Sequence, residues 1–157
     1  MLKIIFSFCV VAIFLAGCSS KENDSLLNDF NNKRDKFEQI QNTNKVTISQ
    51  NGRVVGFITG LYQLDAKYEK FLVGVYAQEE LQNLHFALDG KDTLRVEELQ
   101  NSDYRLKQMP LKNKWSRYFE VTFIKSNSNV MKLNIINGKI WSQEMIFSKV
   151  PNYLNSK

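Results

Sequence analysis

Two Asn-Gly dipeptides, Asn51-Gly52 and Asn137-Gly138, constrain the fold of this chain more than any other feature. Asn and Gly both tolerate the positive φ that a type I′ turn needs at its two central residues, so each dipeptide predicts an antiparallel hairpin. Around the first, Val46 and Ile48 alternate with polar residues and the apolar pattern resumes at Val54. A two-residue loop pairs Gln50 with Arg53, Ile48 with Val55 and Val46 with Phe57, which places four apolar side chains on one face. The return strand runs on through Thr59 and Leu61, and its other face carries Val54, Gly56, Ile58 and Gly60. Two glycines four residues apart suggest a bulge or the close approach of another element. The second dipeptide joins a strand through Met131, Leu133 and Ile135 to one over 139–149, pairing Ile135 with Ile140 and Leu133 with Ser142.

The intervening chain reads mostly as strands. Residues 71–77 are apolar on both faces, as in a central strand. Leu84, Phe86 and Leu88 alternate with His85, Ala87 and Asp89, then meet the turn pair Asp89-Gly90. Phe119, Val121 and Phe123 line one face of a strand starting near Trp115. For them to meet the Met131 triplet in a hairpin, Phe123 pairs with Met131 across a loop of three or five residues around 125–129. Over 93–109 the pattern is weak. Leu94, Val96 and Leu99 fit either a short strand and turn or one helical turn, and Tyr104 to Leu106 fit a further strand. Seven or eight strands over 45–150, joined by short turns, predict a mainly β, antiparallel sandwich or barrel.

One helix is expected ahead of the sheet. Leu26, Leu27, Phe30, Phe37 and Ile40 fall near helical spacing over 25–41, with Asp24 or Ser25 as the N-cap. Residues 18–24 are small and polar, as in a tether, and 151–157 form a mainly polar tail.

The first 17 residues have the parts of a secretory signal: Lys3, an apolar run from Ile4 to Phe14, and small residues before a cysteine. The run is shorter than the roughly 20 apolar residues that a membrane-spanning helix needs. Leu15-Ala16-Gly17-Cys18 resembles the processing site of bacterial lipoproteins. That resemblance implies cleavage before Cys18, a diacylglyceryl thioether on its sulfur and an acyl chain on its new amine. At about 0.8 kcal/mol per buried methylene, two or three such chains hold a protein in a bilayer almost permanently. In this family Ser19, rather than an aspartate, after the cysteine points to the outer membrane, with the domain in the periplasm or on the surface.

Loss of the signal removes one charge, Lys3, so the net charge falls from +5 to +4, an ordinary value for a solvated surface. It also removes Cys9. With Cys18 acylated, no thiol remains for a disulfide, a cysteine–metal site or thiol catalysis. Packing alone must then hold the 140 remaining residues together, enough for one domain.

Three stretches, Phe71-Leu-Val-Gly-Val-Tyr76, Leu84 to Gly90 and Trp115-Ser-Arg-Tyr-Phe-Glu-Val-Thr-Phe123, resemble small Campylobacter-type lipoproteins with an immunoglobulin-like fold. They cover less than half of the mature chain. The resemblance implies an immunoglobulin-like β-sandwich with an interaction role in the cell envelope. It transfers no functional residue, and the cysteine pair and tryptophan of antibody domains are absent.

Chemistry-bearing motifs are few. His85 is the only histidine and stands on the polar face of its strand, without zinc-ligand spacing. Glu79-Glu80 and Glu97-Glu98 are neighbours whose side chains diverge on a strand, which suits solvated charge better than an acid–base pair. The chain has no nucleophile elbow and no phosphate-binding glycine loop.

One patch stands out. Arg105, Lys107, Lys112, Lys114 and Arg117 interleave with Tyr104, Trp115 and Tyr118 around Pro110. A basic loop with exposed aromatics suits a glycan, headgroup or protein partner. Alternatively, Trp115 and Tyr118 anchor the next strand in the core while the cations stay in water. The expectation is a non-enzymatic lipoprotein without cofactor or metal, bound to the bilayer through Cys18, with an envelope or host protein or glycan as partner and no nucleic acid. The alternative is a periplasmic small-ligand-binding or enzyme-inhibitor lipoprotein, using the Gly56/Gly60 face or a space between the sheets.

Overall fold

The structure, a computed structural model, describes residues 40–149. The signal, Cys18, the tether, nearly all of the expected helix and the tail lie outside the described residues. Among the described residues nine strands form two antiparallel sheets: β1 (Thr43–Gln50), β2 (Arg53–Gln63), β3 (Tyr68–Ala77), β4 (Leu84–Leu88), β5 (Lys91–Asp92), β6 (Arg95–Leu99), β7 (Arg117–Ile124), β8 (Val130–Asn137) and β9 (Trp141–Ser148). A 3-10 helix, Tyr104–Gln108, lies between β6 and β7, where a strand through Tyr104 to Leu106 was expected. Asp103 caps it by accepting from the Arg105 amide at 2.9 Å, a local bond that turns the chain rather than extending it.

One sheet runs β1-β2-β3-β7-β6 and the other β5-β4-β8-β9, which makes a β-sandwich. The ninth strand, beyond the expected seven or eight, is the two-residue β5 that follows the Asp89-Gly90 turn. Both residues of that turn, at φ 50° and 78°, take the positive φ of a type I′ turn. The edges meet where Asn44 donates its side-chain amide to the Ile146 carbonyl at 2.8 Å.

Between the sheets, Ile48, Ile58, Phe71, Val73 and Val75 pack with Phe86, Phe119, Val121 and Phe123. Met131, Leu133, Ile135, Met145 and Phe147 belong to the same core, with Tyr62, Leu88 and Trp141. The expected apolar triplets of β7 and β8 both face it. They do not pair, however. β7 joins β3 and β6, whereas β8 joins β4 and β9, so residues 125–129 cross between sheets and the triplets meet across the sandwich.

Two registers also differ from expectation. Gln50 pairs with Arg53, but a bulge then moves Ile48 opposite Gly56 and Val46 opposite Ile58. Both faces of β2 are apolar, so alternation alone does not choose between them. Space does. A Cβ on Gly60 would stand 2.7 Å from Phe147 and 3.1 Å from Met145, so this glycine admits β9 side chains, and Gly56 likewise lies under Ile48. The second hairpin closes with Asn137 opposite Trp141, around a three-residue loop. A two-residue loop would turn Ser142 and Glu144 into the core; the longer one turns in Trp141, Met145 and Phe147.

A buried carboxylate closes one end of the core. Glu69, fully buried, accepts from the Tyr62 hydroxyl at 2.8 Å and the Ser126 amide at 3.0 Å. It also pairs with Lys149 at 2.7 Å. Burial pushes its pKa up, but the bonds from Lys149, Tyr62 and Ser126 outweigh it and hold the carboxyl below its ordinary value.

Candidate functional site: an aromatic groove on the outer sheet face

Among the described residues, the outer face of the five-stranded sheet is only partly covered. Residues 100–116 fold over it, and Leu106 and Met109 pack on Leu61, Leu72, Leu99 and Tyr118 as a second small core. The cover stops short of Phe57 and Tyr76, which pair directly across β2 and β3. Their rings lie 5.4 Å apart with a tilt of 34° and form the floor of an open groove. Leu111, Lys112, Asn113 and Trp115 make its wall, and Lys45 of β1 its far rim. The groove encloses about 490 Å³, within the roughly 300–1,000 Å³ of sites for small ligands.

Its wall is held from beneath. The Tyr118 hydroxyl accepts from the Asn113 amide at 2.7 Å and donates to its carbonyl at 3.0 Å. The Asn113 side chain accepts from the amides of Trp115 and Ser116, both at 2.9 Å. These bonds fix the loop and leave Trp115 69% exposed. Gly74 permits the arrangement, since a Cβ there would meet the Tyr118 ring at 2.6 Å. Leu111, also on the wall, has φ +62° and is 61% exposed, so no burial offsets its left-handed backbone.

The basic–aromatic patch divides into separate parts. Arg105 is structural: its guanidinium reaches Glu97 at 2.7 Å, Asp103 at 2.8 Å and Glu120 at 3.2 Å, tying the 3-10 helix to the sheet. Hydrogen bonding from Arg105 holds the Asp103 carboxyl down at about 2, and lowers Glu97 in the same way. Arg117 makes two bonds to Glu98, at 2.8 and 2.7 Å, and so lies outside the groove's polar surface. Tyr118 is buried, as the anchoring alternative has it. Lys107 is exposed on the 3-10 helix, away from the groove. Lys112 and Trp115 remain in the groove lining, and Lys114 stands beside it with its ammonium 5.3 Å from the Trp115 ring centre.

Lys45, Phe57, Tyr76, Leu111 and Asn113 were not among the expected site residues. Phe57 was expected on the same face as Val46, Ile48 and Val55, and the bulge turns it to the opposite one. Tyr76 lies in a run apolar on both faces, where alternation carries no signal. Of the other expected features, His85 is exposed and 3.2 Å from Asp92. Glu97 and Glu98 do diverge, but each meets an arginine instead of water alone. The space beside Gly60 is occupied by Phe147 and Met145.

Fold and groove together define a β-sandwich with a preformed aromatic recess on one outer face. Comparison with protein-family models, curated sequences and solved structures returns no match for this chain.

Proposed function

We propose that this chain is a lipoprotein of the bacterial envelope, held in the outer membrane through lipid on Cys18, whose sandwich is a non-enzymatic binding module. The observation that carries the binding role is the groove: Phe57, Tyr76 and Trp115 present ring surface to solvent on a hydrogen-bonded frame. Large aromatic side chains are costly to leave in water and contribute heavily to binding when a partner covers them. A domain that needed only to fold would gain by covering all three.

The two halves of the reading have separate tests. A Cys18→Ala variant is expected to lose membrane attachment, and tight fractionation with membranes would refute the anchor. For the groove, a photo-reactive residue replacing Leu111 is expected to give a discrete cross-linked species in intact cells, while the same residue at Lys139 gives none. Equal labelling at both positions would end the groove's claim to be the binding site.

A further inference from the structure

We propose that the groove takes an acidic glycan, with sugar rings stacked on Phe57, Tyr76 and Trp115 and carboxylates facing Lys45 and Lys114. This rests on the groove being the binding site and adds the class of ligand.

The first argument is shape. With a 34° tilt between Phe57 and Tyr76, the floor is a shallow shelf open to water, not a socket. An apolar peptide side chain gains most in an enclosed pocket. A pyranose ring presents a flat face of C–H groups that lies on an aromatic face, whose negative quadrupole attracts them.

The second argument is charge. No carboxylate among the described residues lines the groove. Among the described residues Lys45 and Lys114 have no carboxylate within ion-pair distance, whereas Arg105 and Arg117 are paired and Lys112 donates its ammonium to the Asn101 carbonyl. Lys45 and Lys114 instead lie over aromatic rings, 5.0 Å from the centre of Phe57 and 5.3 Å from that of Trp115. Positive charge is thus held beside the stacking surfaces. Lysine is a point charge on a flexible stem and can follow carboxylates spaced along a polymer; an arginine fork would demand one geometry.

The test uses the full-length protein and a panel of uronate and sialate oligosaccharides. Trp115 is exposed and Trp141 is 8% exposed, and these are the only two tryptophans, so a ligand-induced blue shift reports on the groove. At least one acidic oligosaccharide is expected to bind saturably, with affinity falling as salt rises. Its methyl ester is expected to bind severalfold more weakly and with little salt dependence. By calorimetry, Trp115→Ala is expected to lose at least tenfold in affinity. The pair Lys45→Gln and Lys114→Gln is expected to lose severalfold and most of the salt dependence, while Lys139→Gln changes nothing. Since all three of those lysines are exposed, misfolding does not confound the comparison. Equal binding of polyglutamate, or of phosphatidylglycerol vesicles by the unlipidated Cys18→Ala protein, would overturn the glycan assignment and leave the cross-linking result standing. No saturable binding across the panel, or an unchanged affinity in Trp115→Ala, would overturn it too.

Discussion

Leu111 and Gly74 set the groove wall through opposite steric demands. Leu111 has its φ at +62° and most of its side chain in water. Left-handed backbone costs a branched residue roughly 1–2 kcal/mol. Glycine would relieve that cost, while its freer unfolded chain offsets roughly 0.4–1 kcal/mol of the gain. Leu111→Gly is therefore expected to unfold at a higher urea concentration than the parent and yet to bind groove ligands less tightly. A variant that gained stability with affinity unchanged would reduce Leu111 to a plain turn residue. At Gly74 the demand is for space. A Cβ would meet Tyr118 at 2.6 Å and Thr59 at 2.9 Å, and Tyr118 cannot withdraw without releasing Asn113. Overpacking of this kind costs about 1–3 kcal/mol. Gly74→Ala is expected to lose stability in that range and to loosen the wall, visible as faster amide exchange at Asn113. Normal protection there would show that the ring can shift without disturbing the loop.

Among the elements, strands and turns were largely legible and their partners were not. Asn51-Gly52 and Asp89-Gly90 fold as their residue types dictate, because positive φ is a local requirement that Asn, Asp and Gly meet locally. Strand β3 is central because it is apolar on both faces. What alternation omits is the identity of the neighbour. Phe123 and Met131 face the same core from opposite sheets, and a hairpin would have given them the same inward pattern. The groove suffered likewise: its wall is one stretch of chain, but its floor comes from β2 and β3, and a single bulge decides which way Phe57 points. Glu69 is a further joint of this long-range kind, linking β2, β3, the 125–129 crossover and the end of β9. Its carboxyl is held below the ordinary value near 4.5. The pairing therefore contributes full stability above that value and loses it as pH falls through the lower, folded-state pKa. Glu69→Gln leaves Lys149 short of its partner and is expected to cost about 3 kcal/mol or more at neutral pH. It is also expected to flatten the acid limb of stability below roughly pH 4.5. Urea midpoints measured from pH 3 to 7 check both, and parallel curves for variant and parent would show that Glu69 is not the titrating joint.

For the whole molecule, the registers place Thr43 and Ser148 at one end of the sandwich, opposite the Asn51-Gly52 turn and the 138–140 loop. The first strand therefore begins and the last ends at the same end of the sandwich, and the groove opens on the outer face of the five-stranded sheet with Lys45 of β1 on its rim. No cysteine falls among the described residues, so the sandwich is closed by packing, by Glu69 and by the Asn44–Ile146 clip, without a covalent link. On the proposed reading, attachment depends on Cys18 and recognition on the groove, and changes to the two are expected to be independent. Cys18→Ala is expected to move the protein from the membrane to the soluble fraction while its calorimetric affinity for a groove ligand stays within about twofold. Trp115→Ala is expected to do the reverse, weakening binding at least tenfold and leaving fractionation untouched. The double variant should show both losses and no further fall in the urea midpoint, since Trp115 is exposed. If Cys18→Ala weakened the groove in purified protein, anchor and groove would be coupled through the chain that joins them. Simple presentation of a rigid module on a lipid tether would then be the wrong description.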